Sequence, residues 1–156
     1  MSYLDVPIQL RWSDVDVYGH VNNVATLALV EQARVSFFAQ ARYGEHHLPQ
    51  LQHVEPDMPQ VFLTGQAIEY RHPIRLRLES VLVRLWVTRV GAADFELGFE
   101  IRQTVDGDPA VVCAHGLNGL VLVDPQNGRP MRLSSDDTAL LQQYLGAAPH
   151  LRRLGR

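Results

Sequence analysis

The stretch Arg11-Trp12-Ser13-Asp14-Val15-Asp16-Val17-Tyr18-Gly19-His20-Val21-Asn22-Asn23 brings together two carboxylates, a glycine, an imidazole and two amides. That set suits chemistry at an activated carbonyl. A carboxylate can attack the carbon or take a proton from water, and backbone N–H groups can hold the charge that develops on oxygen. The same residue types also make ordinary turns and helix caps. Asp14 reads as such a turn or cap residue that could orient the loop. Gly19 supplies a left-handed or crowded backbone position. Asn22 or Asn23 can serve as an N-cap, and Asn22 can also hold the loop. His20 offers a substrate contact, a bond that orients Asp16, or a bond to loop backbone.

Other groups need weighing. Glu31 is either the partner of Arg34 at i+3 or a second catalytic carboxylate. Arg71, His72, Arg75 and Arg77 form the strongest basic cluster, and arginine clusters suit phosphates. Arg152, Arg153 and Arg156 offer a weaker one. His46, His47 and His53 with Glu55 and Asp57 match no zinc spacing and read as a solvated loop. No metal and no cofactor are expected. His115 and Asn118 read as hydrogen-bonded interior groups or as pocket lining. Cys113 is the only cysteine. It reads as a small core residue, and it excludes an internal disulfide and a cysteine-based zinc cluster.

The elements that must position these groups follow from periodicity. Val6, Ile8, Leu10 and Trp12 alternate in a first strand over 5–12. A helix is predicted from Asn23 to about Tyr43, with Gly44 in the C′ position. Apolar residues cover most of its circumference, leaving a narrow stripe through Gln32, Ser36 and Gln40, so it should be buried. A proline-containing loop over 44–60 separates it from strands near 61–71, 79–90, 94–105 and 110–123. In the third of these, Phe95, Leu97, Phe99 and Ile101 alternate with polar residues and glycine. Gly91-Ala92-Ala93 and Asp106-Gly107-Asp108-Pro109 are short links that favour antiparallel hairpins. Ser134, Ser135, Asp136 and Asp137 cap a short helix ending near Gly146. One buried helix against about five antiparallel strands is an α+β architecture. The whole of 1–156 reads as one domain, with a core over about 5–133 and a helix and tail over 134–156.

The chain has 156 residues, 46% hydrophobic and 20% charged, with a net charge of −3. It is expected to be soluble and cytoplasmic, with no signal peptide and no membrane span. It lacks the basic field that nucleic acid requires. The free edges of a five-stranded open sheet favour pairing across a two-fold axis.

Asp14-x-Asp16-x-x-Gly19-His20-Val21-Asn22-Asn23, followed by a helix carrying Glu31-Gln32-Ala33-Arg34, resembles the hotdog-fold acyl-CoA thioesterases. Within them it looks like the 4-hydroxybenzoyl-CoA thioesterase-like branch. The resemblance covers roughly residues 5 to 133. It implies a curved sheet wrapped round one long helix, and a homodimer or homotetramer. It also implies hydrolysis of an acyl-CoA to free acid and CoA. Asp16 would be the nucleophile or the base, with His20, Asn22 and Glu31 as further catalytic candidates. The carbonyl-polarising amide at the helix entry maps to His20. Gly19, Asn23, Arg71, Arg75 and Arg77 are the candidate substrate contacts. The adjacency of Gly19 and His20 also occurs in acyl-carrier-protein enzymes, so that carrier is an alternative. A non-catalytic acyl-CoA-binding protein is another.

Overall fold

The computed structural model describes residues 2–41, 45, 48, 58–105 and 107–152. The elements run β1 (Leu4–Ile8), α1 (Asn23–Gln40), β2 (Gln60–Tyr70), β3 (Val81–Val90), β4 (Asp94–Val105), β5 (Asp108–Val123) and α2 (Ser135–Gln143). The strands form one antiparallel sheet in the order β1-β3-β4-β5-β2. The α+β reading and the five strands stand, with strand ends shifted by a few residues.

Alternation decides which face of the sheet is covered. Val81, Val83, Leu85 and Val87 of β3, and Phe95, Leu97, Phe99 and Ile101 of β4, are all fully buried. Helix α1 lies on this face through Leu29, Val30, Ala33, Phe37 and Phe38. Phe38 meets Phe95 edge to face at 6.2 Å. Helix α2, opened by a reciprocal Ser134–Asp137 capping box, buries Leu140 and Leu141. Tyr144, just beyond it, meets Phe37 at 5.1 Å between ring centres. The opposite face is partly covered by the C-terminal segment. Trp86 lies where a Cβ on Gly98 would fall, and its Nε1–H donates to the Ala147 carbonyl at 2.8 Å.

Four expectations need correction. The inward alternation of the first strand holds through Leu10, but β1 ends at Ile8, where its pairing with β3 ends at Val81. Trp12 instead opens a single 3-10 turn, Trp12–Asp14, and is 85% exposed. Helix α1 ends at Gln40, capped by Ala41; residues 42–44 lie outside those described. Its free surface is wider than one polar stripe, because the sheet covers only one side: Val24 is 78% exposed, and Ala28 and Glu31 are exposed as well. Helix α2 also stops short of Gly146, whose N–H donates to Val87.

Two glycines test this packing. A Cβ on Gly116 would lie 2.0 Å from the Ala67 carbonyl and 2.5 Å from the Phe99 ring, whereas one on Gly65 would meet nothing within 4 Å. Gly116→Ala should therefore cost about 1–3 kcal/mol in urea unfolding, and Gly65→Ala far less. Equal stabilities would contradict the β2–β5 register.

Candidate active site

The loop between β1 and α1 is a closed unit pinned at both ends. The Arg11 N–H donates to Oδ2 of buried Asp14 at 2.7 Å. The Asp14 carbonyl accepts from the Asn22 backbone N–H at 2.9 Å and from Asn22 Nδ2 at 3.1 Å. Asn22 Oδ1 accepts from the Ala25 N–H at 2.8 Å, which makes Asn22 the N-cap of α1. One amide therefore caps the helix and holds the loop together.

Between these pins the chain makes a tight excursion. Val15 pairs with Val21, the Asp16 N–H donates to the His20 carbonyl at 2.9 Å, and the Gly19 N–H donates to the Asp16 carbonyl at 3.0 Å. Gly19 has φ 76°, and nothing lies within 4 Å of where its Cβ would be, so the backbone angle rather than crowding calls for glycine. Asp16 Oδ1 accepts from the N–H groups of Tyr18 at 2.9 Å and His20 at 3.2 Å. Oδ2 has no hydrogen-bond partner among the described residues.

Two clefts meet at Asp16 and Asn23. One, of about 640 Å³, is walled by Ser13, Asn22, Val24, Ala25 and Ala28. The other, of about 350 Å³, is walled by His20, Val21, Thr26 and residues 70–74. The backbone N–H groups of Asn23 and Val24 begin α1, and neither has a partner among the described residues. The positive end of the helix dipole lies there too. The N–H of His20 is the one given to Asp16.

The arginine cluster is docked beside the loop. The Val21 N–H donates to the Ile74 carbonyl at 2.8 Å, and His20 bridges to Arg75. Buried Gln103 clamps the Arg75 backbone, accepting its N–H at 3.0 Å and donating to its carbonyl at 2.7 Å. Gln9 reaches the Arg77 carbonyl at 3.4 Å. The structure thus gathers Asp16, His20, Asn22, Asn23 and Arg71 around one pair of clefts, with Gly19 in the loop turn and Arg75 and Arg77 beyond the cleft walls.

Glu31 stands apart. It pairs with Arg34 at 3.4 Å in a separate cleft of about 250 Å³ between α1 and β2, lined also by Val24, Leu27, Ala28, Leu63 and Gln66. Burial lowers the Arg34 pKa, partly offset by Glu31. Asn118 is interior and accepts from Gln66 at 3.1 Å. Cys113 is fully buried in the core, where burial pushes its thiol pKa up. His46, His47, His53, Glu55, Asp57, Arg153 and Arg156 lie outside the described residues. Sequence reasoning missed Ser13, Thr26 and Tyr70 as cleft residues. Only Tyr70 carried a signal, as an aromatic residue next to the arginine cluster; partial burial raises the pKa of its phenol.

Residues 10–143 match the family described as the thioesterase-like superfamily. The chain belongs to that superfamily. Its resemblance to hotdog thioesterases therefore holds, and with it the enzyme class, a thioester hydrolase. YsmA of Bacillus subtilis, an uncharacterized protein, is 20% identical over 90% of this chain and 95% of its own. Two solved structures share the hotdog fold of this thioesterase-like chain. A 1,4-dihydroxy-2-naphthoyl-CoA thioesterase from Synechocystis is 18% identical, covers 90% of this chain and 96% of its own, and has a TM-score of 0.74. A thioesterase from Thermus thermophilus, complexed with coenzyme A and Zn, is 22% identical over 88% and 96%, with a TM-score of 0.68. Among the described residues, no helix is long and apolar enough to cross a membrane.

The double role of Asn22 can be separated. Asn22→Asp keeps the acceptor that caps α1 but loses the Nδ2 donor to Asp14. We expect stability within about 1 kcal/mol of the parent by thermal melting and a clear loss of thioester turnover. Full turnover with the brace removed would show that the loop needs only the cap.

Proposed function

We propose that this thioester hydrolase cleaves acyl-CoA to free carboxylic acid and CoA, with Asp16 as nucleophile or general base. The observation that carries this reading is the division of the Asp16 carboxylate. Oδ1 is tied into the turn by two N–H groups, while Oδ2 is left unbonded beside the start of α1. Substrate would lie with its carbonyl oxygen toward the N–H groups of Asn23 and Val24, which receive the developing oxyanion.

Two routes are open from that pose. In one, Oδ2 attacks the carbonyl carbon, the C–S bond breaks, and the thiolate leaves with its electron pair. Water then hydrolyses the mixed anhydride and regenerates the carboxylate. In the other, Oδ2 takes a proton from a water that attacks the carbonyl, and the thiolate again departs. A CoA thiolate is a stable leaving group, so neither route needs a strong acid at sulfur. Arg71, Arg75 and Arg77, exposed on the segment docked against the loop, would meet the phosphates of CoA.

We also propose a homodimer joined at the β2 edge. Phe62 is 51% and Leu63 41% exposed there, beside the uncovered Val24 and Ala28 of α1. A second copy would satisfy the free strand edge and bury this apolar surface. Light scattering should give twice the mass of one chain, and Leu63→Glu should shift it toward the monomer; a monomeric parent would end this reading.

The catalytic assignment is tested by thiol release from short, long and aromatic acyl-CoAs, with Asp16→Asn alongside. An asparagine Oδ1 can still accept the two turn N–H bonds, so the fold should persist. Turnover should fall by about 10²–10⁴-fold. A near-native rate would remove Asp16 from the chemistry. Failure of the parent on every acyl-CoA would point to a carrier-protein thioester.

A further inference from the structure

Glu69, Arg71 and His115 meet on the sheet face opposite α1. His115 is 7% exposed, and among the described residues a single ring atom faces both of its polar neighbours, accepting from Arg71 in one tautomer and donating to Glu69 in the other. Its Nε2 lies 3.2 Å from Glu69 Oε2 and 3.3 Å from Arg71 Nη2, and those two atoms lie 3.8 Å apart. The three groups close a triangle around one imidazole nitrogen.

The surroundings fix this triangle from every side. Glu100, level with His115 on the neighbouring strand, is occupied by Arg102 through contacts of 3.0 and 2.6 Å. Glu69 Oε1 accepts the backbone N–H of Arg152. Arg152 belongs to a C-terminal strap that is itself tied down where the Gly146 N–H meets the Val87 carbonyl at 2.8 Å and Trp86 meets Ala147. The Arg71 backbone is held as well, its N–H donating to the Cys113 carbonyl at 2.7 Å. Arg71 nonetheless lines the cleft that Asp16 and His20 share, and its side chain is 39% exposed. Its Nε and Nη1 have no partner among the described residues.

A surface arginine ordinarily gives up rotamer freedom when it binds a phosphate. One already held through a single nitrogen gives up less, and still offers its other donors. We infer that His115 and Glu69 are positioning residues that hold the Arg71 guanidinium at the cleft rim, ready for the phosphate-bearing part of a CoA-type thioester. This rests on the acyl-CoA reading above, and the Asp16→Asn series tests that reading separately.

The test is a double-mutant cycle read as CoA affinity by calorimetry and as KM against kcat for the best acyl-CoA. Arg71→Ala should weaken CoA binding by about 5- to 10-fold, and His115→Leu by about 3- to 5-fold. The loss should fall in KM rather than kcat, and the double variant should bind no worse than Arg71→Ala alone. His115→Gln, whose amide can still accept from Arg71, should recover most of the affinity. Should His115→Leu fail to fold, Glu69→Gln takes its place in the cycle. Native CoA affinity in Arg71→Ala would overturn the phosphate contact and the positioning role with it. Additive losses, or loss from Arg71→Ala with none from its partners, would overturn the positioning role alone.

Discussion

The site depends on the side-chain amide of Asn22. Its oxygen caps α1 at the Ala25 N–H, and its nitrogen holds the Asp14 carbonyl. A helix start and a loop that would otherwise be two neighbouring elements become one rigid joint. Because the cap is met at the third residue of the helix, the N–H groups of Asn23 and Val24 stay unbonded among the described residues, at a helix start that lines the cleft. Because the Asp14 carbonyl is fixed, the excursion from Val15 to Val21 must close on itself, and that closure requires the left-handed glycine at position 19. The direction of the Asp16 carboxylate is the last consequence of this joint.

Much of this was legible from residue types. The strict alternation of β4 named its buried face correctly, because Phe95, Leu97, Phe99 and Ile101 all lie on the covered side of the sheet. The motif marked the loop, and Asn22 was readable both as a cap and as a brace. What could not be read was how one carboxylate divides its two oxygens between the turn and the cleft, since both uses favour the same residue. Trp12 was misplaced because alternation continues in sequence after strand pairing has stopped; the inward pattern of Val6, Ile8 and Leu10 says nothing about where the partner strand runs out. The apolar wrap of α1 reads as burial on all but a narrow polar stripe, whereas the sheet covers only one side of the helix.

The arginine cluster shows a different limit. Its composition was plain, but its location depends on contacts distant in sequence. Gln103 clamps the Arg75 backbone across 28 positions, and His115 reaches Arg71 across 44. Neither glutamine nor histidine in a strand announces such a partner. Their burial makes the contacts consequential, since an unpaired buried amide or imidazole would be costly. The basic segment is thus held against the β1–α1 loop by backbone bonds to Val21 and His20 and by polar groups of the sheet.

In the proposed reaction, substrate choice would follow from what the loop leaves open. The helix wall of the larger cleft is built of Asn23, Val24, Ala25 and Ala28, mostly small side chains. Val24 and Ala28 also line the neighbouring cleft, where Leu63 and Gln66 of β2 and the Glu31–Arg34 pair stand. An acyl group running along α1 from Asp16 would pass from the loop into that edge region. In the proposed reaction, acyl selectivity would be set by the side chains at the β2 edge and by whatever covers them, while the loop would set the reaction. Chemistry and selectivity rest on different elements, so changes at the edge can alter the acyl group accepted without disturbing the joint that Asn22 holds.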